Sequence, residues 1–242
     1  MGMSKFAVRS SAALIVGICL TACITQREQV LAPDASGIVI FAGDDQPVDG
    51  AQVRYVGAEG LASAVTRPDG SFKLQGLTEK RTIVAMPMGG VFRDSTLVKV
   101  SAPGLADAYA SAAFINGGQA AQALYRVVVL MFPADAPDTP LHSLMRDCIA
   151  VPEQDHALHL AGYVAAIDPE NPPDWFDENT AEAISEHLRL ALPSSAFLPC
   201  EQMSEAYEMF RAQTEPLRTL ENAAFYQAMP IEFRPSAEAG SQ

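Results

Sequence analysis

Pro47-Val48-Asp49-Gly50-Ala51-Gln52-Val53-Arg54-Tyr55-Val56 and Thr66-Arg67-Pro68-Asp69-Gly70-Ser71-Phe72-Lys73-Leu74 are the two stretches on which the fold turns. In both, apolar and polar side chains alternate, as they do along a strand with one buried face. Ala51, Val53 and Phe72 are the inward residues of that pattern. Gly50 and the Pro68-Asp69-Gly70 run supply turns, because glycine reaches positive φ without a steric cost. Reading outward, Gly37-Ile38-Val39-Ile40-Phe41 is a β-rich run closed by the polar turn Gly43-Asp44-Asp45-Gln46-Pro47. Further strands are expected over 62–66, 81–87, 96–101, 109–115 and 121–132. Strands this short and evenly spaced, without a long helical pattern between them, predict an all-β antiparallel sandwich over residues 36–133.

The order of these residues resembles the carboxypeptidase regulatory-like domain. The match runs through Gly37-x-Val39, Pro47-Val48-x-Gly50-Ala51-x-Val53, Thr66-x-x-Asp69-Gly70-x-Phe72 and Gly76-Leu77, then Val98-x-Val100-x-Ala102-Pro103-Gly104. The resemblance covers about 95 residues and implies a transthyretin-like sandwich of seven or eight strands. It implies no activity. In carboxypeptidases the zinc site lies on a separate domain with a His-x-x-Glu pair, and none of His142, His156, His159 and His187 has Glu three residues on. The tyrosine-arginine-glycine-serine tail of the related hydroxyisourate hydrolases is absent, since Tyr125-Arg126 leads into Val127-Val128. Intradiol dioxygenases need two histidines for iron, and residues 36–133 contain none.

Charge divides the chain. Residues 24–133 carry 9 basic and 10 acidic side chains, whereas residues 134–242 carry 5 and 19. A shift that abrupt places a module boundary near Pro133, with about 100 residues on either side, each large enough for a modest core. The acidic balance excludes a nucleic-acid partner, which requires a cationic face to release counterions from phosphate.

Residues 134–234 read as an acidic, mainly α-helical domain, and residues 235–242 as a disordered polar tail. Thr139 followed by Pro140 is a helix start, with Leu141, Leu144, Met145 and Cys148 at helical spacing. Asp155 is the expected cap of a second helix to Ile167. Asn179 and Glu182 resemble a capping box for a third, ending before Pro193. Met203, Tyr207 and Phe210 mark a fourth, and a fifth follows Pro216.

At the N-terminus, Lys5 and Arg9 precede an apolar run from Ala12 to Leu20, the layout of a secretory signal over residues 1–22. The run is too short for a membrane-spanning helix, which needs about 20 apolar residues. Leu20-Thr21-Ala22-Cys23 is similar to the lipobox of bacterial lipoproteins. That resemblance implies cleavage before Cys23, lipidation of Cys23, and a lipidated tether over residues 23–35. Acyl chains hold a membrane by about 0.8 kcal/mol per buried methylene, so several together anchor stably. Ile24 stands where lipoproteins retained in the inner membrane carry Asp. The implied address in a Gram-negative cell is therefore the outer membrane, facing the periplasm. Without the signal the chain has 14 basic and 29 acidic residues, a net charge of −15.

Cys19 leaves with the signal and Cys23 is taken by lipid, so Cys148 and Cys200 remain. An oxidising compartment favours a disulfide between them. Among candidate sites, His156-x-x-His159 puts two imidazoles on one helical face, but spacing dictates no third ligand, so no metal is expected there. The acidic loop 168–178 lacks the central glycine of a calcium-binding helix-loop-helix. No Gly-x-Ser-x-Gly nucleophile motif occurs, and no catalytic residues and no cofactor are expected. Trp175 and Phe176 are two large aromatics amid acids: exposed, an interaction anchor; buried, satellite core beneath the loop. The sequence thus leads to a non-catalytic cell-envelope lipoprotein, held by its lipid anchor and acting as a scaffold or interaction module for an envelope protein partner. The alternatives are a carbohydrate-binding accessory and a hydrolase with its site between the modules.

Overall fold

A computed structural model describes residues 24–57, 62–84, 92–116, 121–168, 170–192 and 200–228. Cys23, the signal segment and the tail 235–242 lie outside the described residues. The strands are β1 (Ile24–Ala32), β2 (Ala35–Phe41), β3 (Gln46–Pro47), β4 (Gln52–Tyr55), β5 (Ser63–Val65), β6 (Ser71–Leu74), β7 (Leu77–Val84), β8 (Phe92–Ser101), β9 (Ala108–Asn116) and β10 (Val127–Met131). One four-stranded sheet runs β5-β4-β8-β9, and in the other β2 pairs with β10, β3 and β6. The two sheets enclose a common core that includes Val39, Val53, Tyr55, Phe72, Val98, Val100, Val129 and Met131.

The two opening stretches build the centre of this arrangement. Thr66 is buried, and its Oγ1 donates to the Val48 carbonyl at 2.7 Å while accepting from the Ala51 N–H at 2.8 Å. One hydroxyl thus satisfies two backbone groups at the strand ends that would otherwise be costly to bury. Gly70, at φ 71°, closes the turn by donating to the Arg67 carbonyl, and its own carbonyl accepts from Val39 N–H at 3.0 Å. Phe72 then reaches the core beside Gly37. A Cβ at Gly37 would lie 2.2 Å from the Val127 carbonyl oxygen and 2.3 Å from the Phe72 ring. Gly37→Ala is accordingly expected to destabilise the protein by about 1–3 kcal/mol, the ordinary cost of overpacking. An unchanged urea midpoint would contradict that close approach.

Three sequence expectations change. First, the sheets are not wholly antiparallel, because β10 pairs with β2 in parallel, Val127 opposite Gly37 and Met131 opposite Phe41. Asp34 N–H donates to the Ala121 carbonyl and Ala123 N–H to the Asp34 carbonyl, both at 2.8 Å, so the returning chain enters beside the start of β2 and runs with it. All five residues of β10 are buried. Its unbroken Val-Val-Val-Leu-Met run suits a strand covered on both faces, where alternation is not required. Second, residues 24–32 of the expected tether form β1, paired antiparallel with β7 from Ile24–Val84 to Ala32–Leu77. Thr96 Oγ1 donates to the Leu31 carbonyl at 2.8 Å and ties the ribbon's base to β8. Third, two helix caps move.

The helices are α1 (Pro140–Met145), α2 (Pro152–Ala165), α3 (Glu178–Ala191), α4 (Met203–Gln213) and α5 (Glu215–Ala228). Asp155 lies inside α2, whose first turn is set by Pro152, with Gln154 Oε1 accepting from Ala150 N–H at 2.8 Å. Asp177, not Asn179, caps α3, accepting from Thr180 N–H at 2.8 Å. No helix among the described residues is long and apolar enough to cross a membrane.

The helical half does not close a core by itself. Val128, Leu130 and Phe132 cluster with Leu141, Leu158, Leu160, Val164, Ile184 and Leu188. The face of β10 turned away from the inter-sheet core is therefore the floor on which the helices sit. A disulfide links Cys148, after α1, to Cys200, before α4, with Cα atoms 5.3 Å apart. Beside it, Glu201 N–H donates to Asp147 Oδ2 at 2.8 Å.

Candidate functional site

The histidines sort into two groups that sequence spacing did not suggest. Along α2, His156 turns inward and His159 does not. His156 is buried, with Nε2 2.8 Å from the Leu130 carbonyl and Nδ1 3.4 Å from Tyr109 N. Nδ1 therefore accepts and Nε2 donates, which fixes a neutral ring. Burial pushes its pKa down to about 4. His156 is thus part of the joint between the sheets and the helices.

His187, on α3, is 1% exposed, with Nδ1 3.0 Å from Ser111 Oγ on β9. Burial, then the neighbouring His156 ring, lowers its pKa to about 3. Its Nε2 has no hydrogen-bond partner among the described residues. A cleft of about 500 Å³ between the sheets and the helices is lined by Arg93, Ser95, Ser111, Glu186, His187 and Arg189, among others. Glu186 holds Arg93 at 3.5 Å and Arg189 at 3.0 Å, which draws both cations into one carboxylate. Serine beside histidine has the outline of a nucleophile and base. A ring whose proton leaves at about pH 3 is a weak base, however, because proton abstraction improves as the catalytic pKa approaches the working pH.

The second group is His142, Asp155 and His159. Asp155 and His159 are one turn apart on α2, and α1 brings His142 over them. The His142 and His159 ring centroids are 4.4 Å apart, and His142 Nε2 lies 3.5 Å from Asp155 Oδ1. One donor atom from each residue falls within 4.8 Å of the other two. His142 is buried, and its Nδ1 accepts from Thr139 N–H at 2.8 Å with Thr139 Oγ1 also at 2.8 Å. Its Nε2 makes no hydrogen bond among the described residues. Burial, then His142, lowers the pKa of His159, against opposing pulls from Asp155 and Asp138. The i, i+4 spacing of Asp155 and His159 was visible in the sequence; that a separate short helix returns His142 to them was not.

Trp175 and Phe176 meet edge to face, their ring centroids 5.5 Å apart, but differ in burial. Phe176 is buried in the helical core at 3% exposure, so it is not an interaction anchor. Trp175 is half-buried, stacked on Tyr163, and donates from Nε1 to Asp45 Oδ1 at 3.2 Å. Tyr163 donates from its hydroxyl to the same carboxylate oxygen. Asp45, at φ 58° in the turn between β2 and β3, thereby pins the helical half to the sheets. Burial, then that carboxylate, raises the Tyr163 pKa above its ordinary value. Tyr125 Oη reaches Glu182 in a second link of the same kind. These docking residues escaped sequence reading because Asp45 lies more than a hundred positions from either aromatic.

Neither a protein-family model nor a curated protein matches this chain.

Proposed function

We propose that the protein is a lipid-anchored module of the cell envelope that binds a partner protein, with Cys23 as its attachment point. The observation that carries the reading is the Leu-Thr-Ala-Cys sequence followed at once by β1. The acylated residue would then sit at one end of a two-stranded ribbon, not on a slack tether. At about 3.3 Å per residue, nine residues of β1 hold the sheets roughly 25–30 Å from the anchored end. In this reading the sheets belong with the carboxypeptidase regulatory-like sandwiches, supported by the Thr66 and Gly70 geometry, and the outer membrane facing the periplasm is the address. The acidic helical half, farther along the chain from the anchor, suits a basic partner surface, since complementary charge speeds and orients docking.

The carbohydrate-binding alternative needs exposed aromatics on a sheet face. Tyr55, Phe72, Tyr109, Phe114 and Phe132 are buried, Phe41 and Tyr125 are half-buried, and Phe92 is 64% exposed. That placement favours a protein partner.

Cys23→Ala is expected to abolish lipid labelling and release the protein from the membrane fraction. A shortened, lipid-labelled Cys23→Ala chain in that fraction would refute the anchor. Deleting residues 134–242 would uncover Val128, Leu130 and Phe132, so the partner is better tested by charge reversal on α4. Crosslinking in intact cells should capture one protein, and Glu205→Lys with Glu208→Lys should lower its yield several-fold. Equal yields from both chains would remove the acidic face from the proposal.

A further inference from the structure

We propose that His142, Asp155 and His159 form a binding site for a divalent transition metal of the zinc class. This inference is independent of the lipid anchor and of any protein partner.

The donor set is two imidazoles and one carboxylate, a combination that zinc accepts with metal–ligand distances of about 2.0–2.2 Å. Tetrahedral coordination at such distances separates neighbouring donor atoms by about 3.3 Å. His142 Nε2 and Asp155 Oδ1 are 3.5 Å apart, and no pair of the three donors exceeds 4.8 Å. Asp155 has a side chain 58% exposed, so it is free to rotate and close the remaining separation. The two rings are held by packing: His142 is buried, and His159 lies with its centroid 5.5 Å from that of Phe132. A buried imidazole, a half-buried one and an exposed carboxylate can close on an ion by small side-chain movements.

His142 Nε2 is the observation that points to a ligand. It is a buried polar atom without a hydrogen bond among the described residues, in a residue only 7% exposed, and its neighbour at 3.5 Å is a carboxylate. Leaving such an atom unmatched costs free energy that a metal bond would recover. Metal binding requires the other tautomer of His142. A histidine bound through Nε2 carries its proton on Nδ1 and passes it to an oxygen acceptor. Thr139 Oγ1 is 2.8 Å from Nδ1. Without metal, Nδ1 accepts from the Thr139 N–H and the ring proton sits on Nε2, facing Asp155, so metal entry moves that proton to Nδ1, breaks the helix-cap hydrogen bond and turns the Thr139 N–H to another acceptor. Gly162 leaves room for Thr139, because a Cβ there would lie 2.8 Å from the Thr139 methyl. Three protein donors leave a coordination position for water or for a ligand from outside.

The test uses the full-length chain in detergent with its disulfide intact. Titration with Co²⁺ is expected to give the visible bands of a four-coordinate ion at one equivalent per chain, and Zn²⁺ should bleach them. In histidine ¹⁵N spectra, Zn²⁺ should move the ring signals of His142 and His159 and leave those of His156 and His187 in place. Asp155→Asn, at an exposed position, should weaken Zn²⁺ about tenfold or more, and His159→Gln should abolish stoichiometric binding, with the metal-free unfolding midpoint of Asp155→Asn unchanged. Failure of the wild-type chain to bind either ion would overturn the proposal. So would binding that both variants retain, or ring shifts confined to other histidines.

Discussion

Reducing the Cys148–Cys200 bridge is expected to lower the unfolding free energy by about 4 kcal/mol. The bridge closes a loop with a sequence separation of 52 residues, and the chain-entropy relation gives about that loss for a loop of this length. Domains are stable by only about 5–15 kcal/mol in total, so this loss is a large share. It falls unevenly on the molecule. The bridge joins the end of α1 to the approach to α4, and Ala206 on α4 and Leu217 on α5 are buried in the helical core. The helical half should therefore loosen before the sheets do. Urea unfolding with and without reductant measures the total, and amide exchange in α4 against β8 measures the unevenness. A midpoint unmoved by reductant, with thiol titration confirming reduction, would contradict the expectation.

Acidification from pH 7 to pH 5 is expected to cost a further quantity of the same order, about 4 kcal/mol. His156 and His187 have native pKa values of about 4 and about 3, whereas an unfolded histidine titrates near 6.5. The unfolded chain thus binds protons that the native chain refuses. Stability from these groups is complete above pH 6.5, declines as the pH falls below it, and is exhausted once the native values are passed. Each histidine contributes about 1.4 kcal/mol per pH unit inside that window. His187→Leu removes one of them along with its unpartnered Nε2, so the variant should lose about half of the slope between pH 6.5 and 5. Parallel profiles for wild type and variant would show that neither ring carries the acid sensitivity.

The legible part of the fold was the part governed by neighbours in sequence. Alternation around Val53 and Phe72, the Asp69-Gly70 turn and the Thr139-Pro140 helix start depend on a few adjacent residues, and each is where the pattern put it. The parallel course of β10 was not legible. Its apolar run is compatible with either direction, and the choice is made by the pairing of Asp34 with Ala121 and Ala123. The same limit applies to sites. Cys148 and Cys200 could be paired because only two cysteines remained once the expected signal and lipobox accounted for the others. The histidines offered four candidates and no such elimination. Periodicity placed His156 and His159 on one face of α2, but the strands behind the helix claim His156 and α1 claims His159. Phe176 lies inside the helical core, and Trp175 packs on its margin and reaches Asp45.

The parallel pairing of β10 with β2 also sets an order of events for a chain that emerges N-terminus first. β2 would arrive early and wait for a partner some ninety residues behind it, while β3 and β6 occupy its other edge. Until Val127–Met131 emerges, one side of β2 is an open edge, a template for pairing with the wrong chain. The helices cannot shield that edge in the meantime, because they follow β10 in the chain and rest on it. Distant pairings of this kind form slowly and leave apolar surface uncovered as they do. The interval between the arrival of β2 and that of β10 is the period in which this protein would most depend on a chaperone.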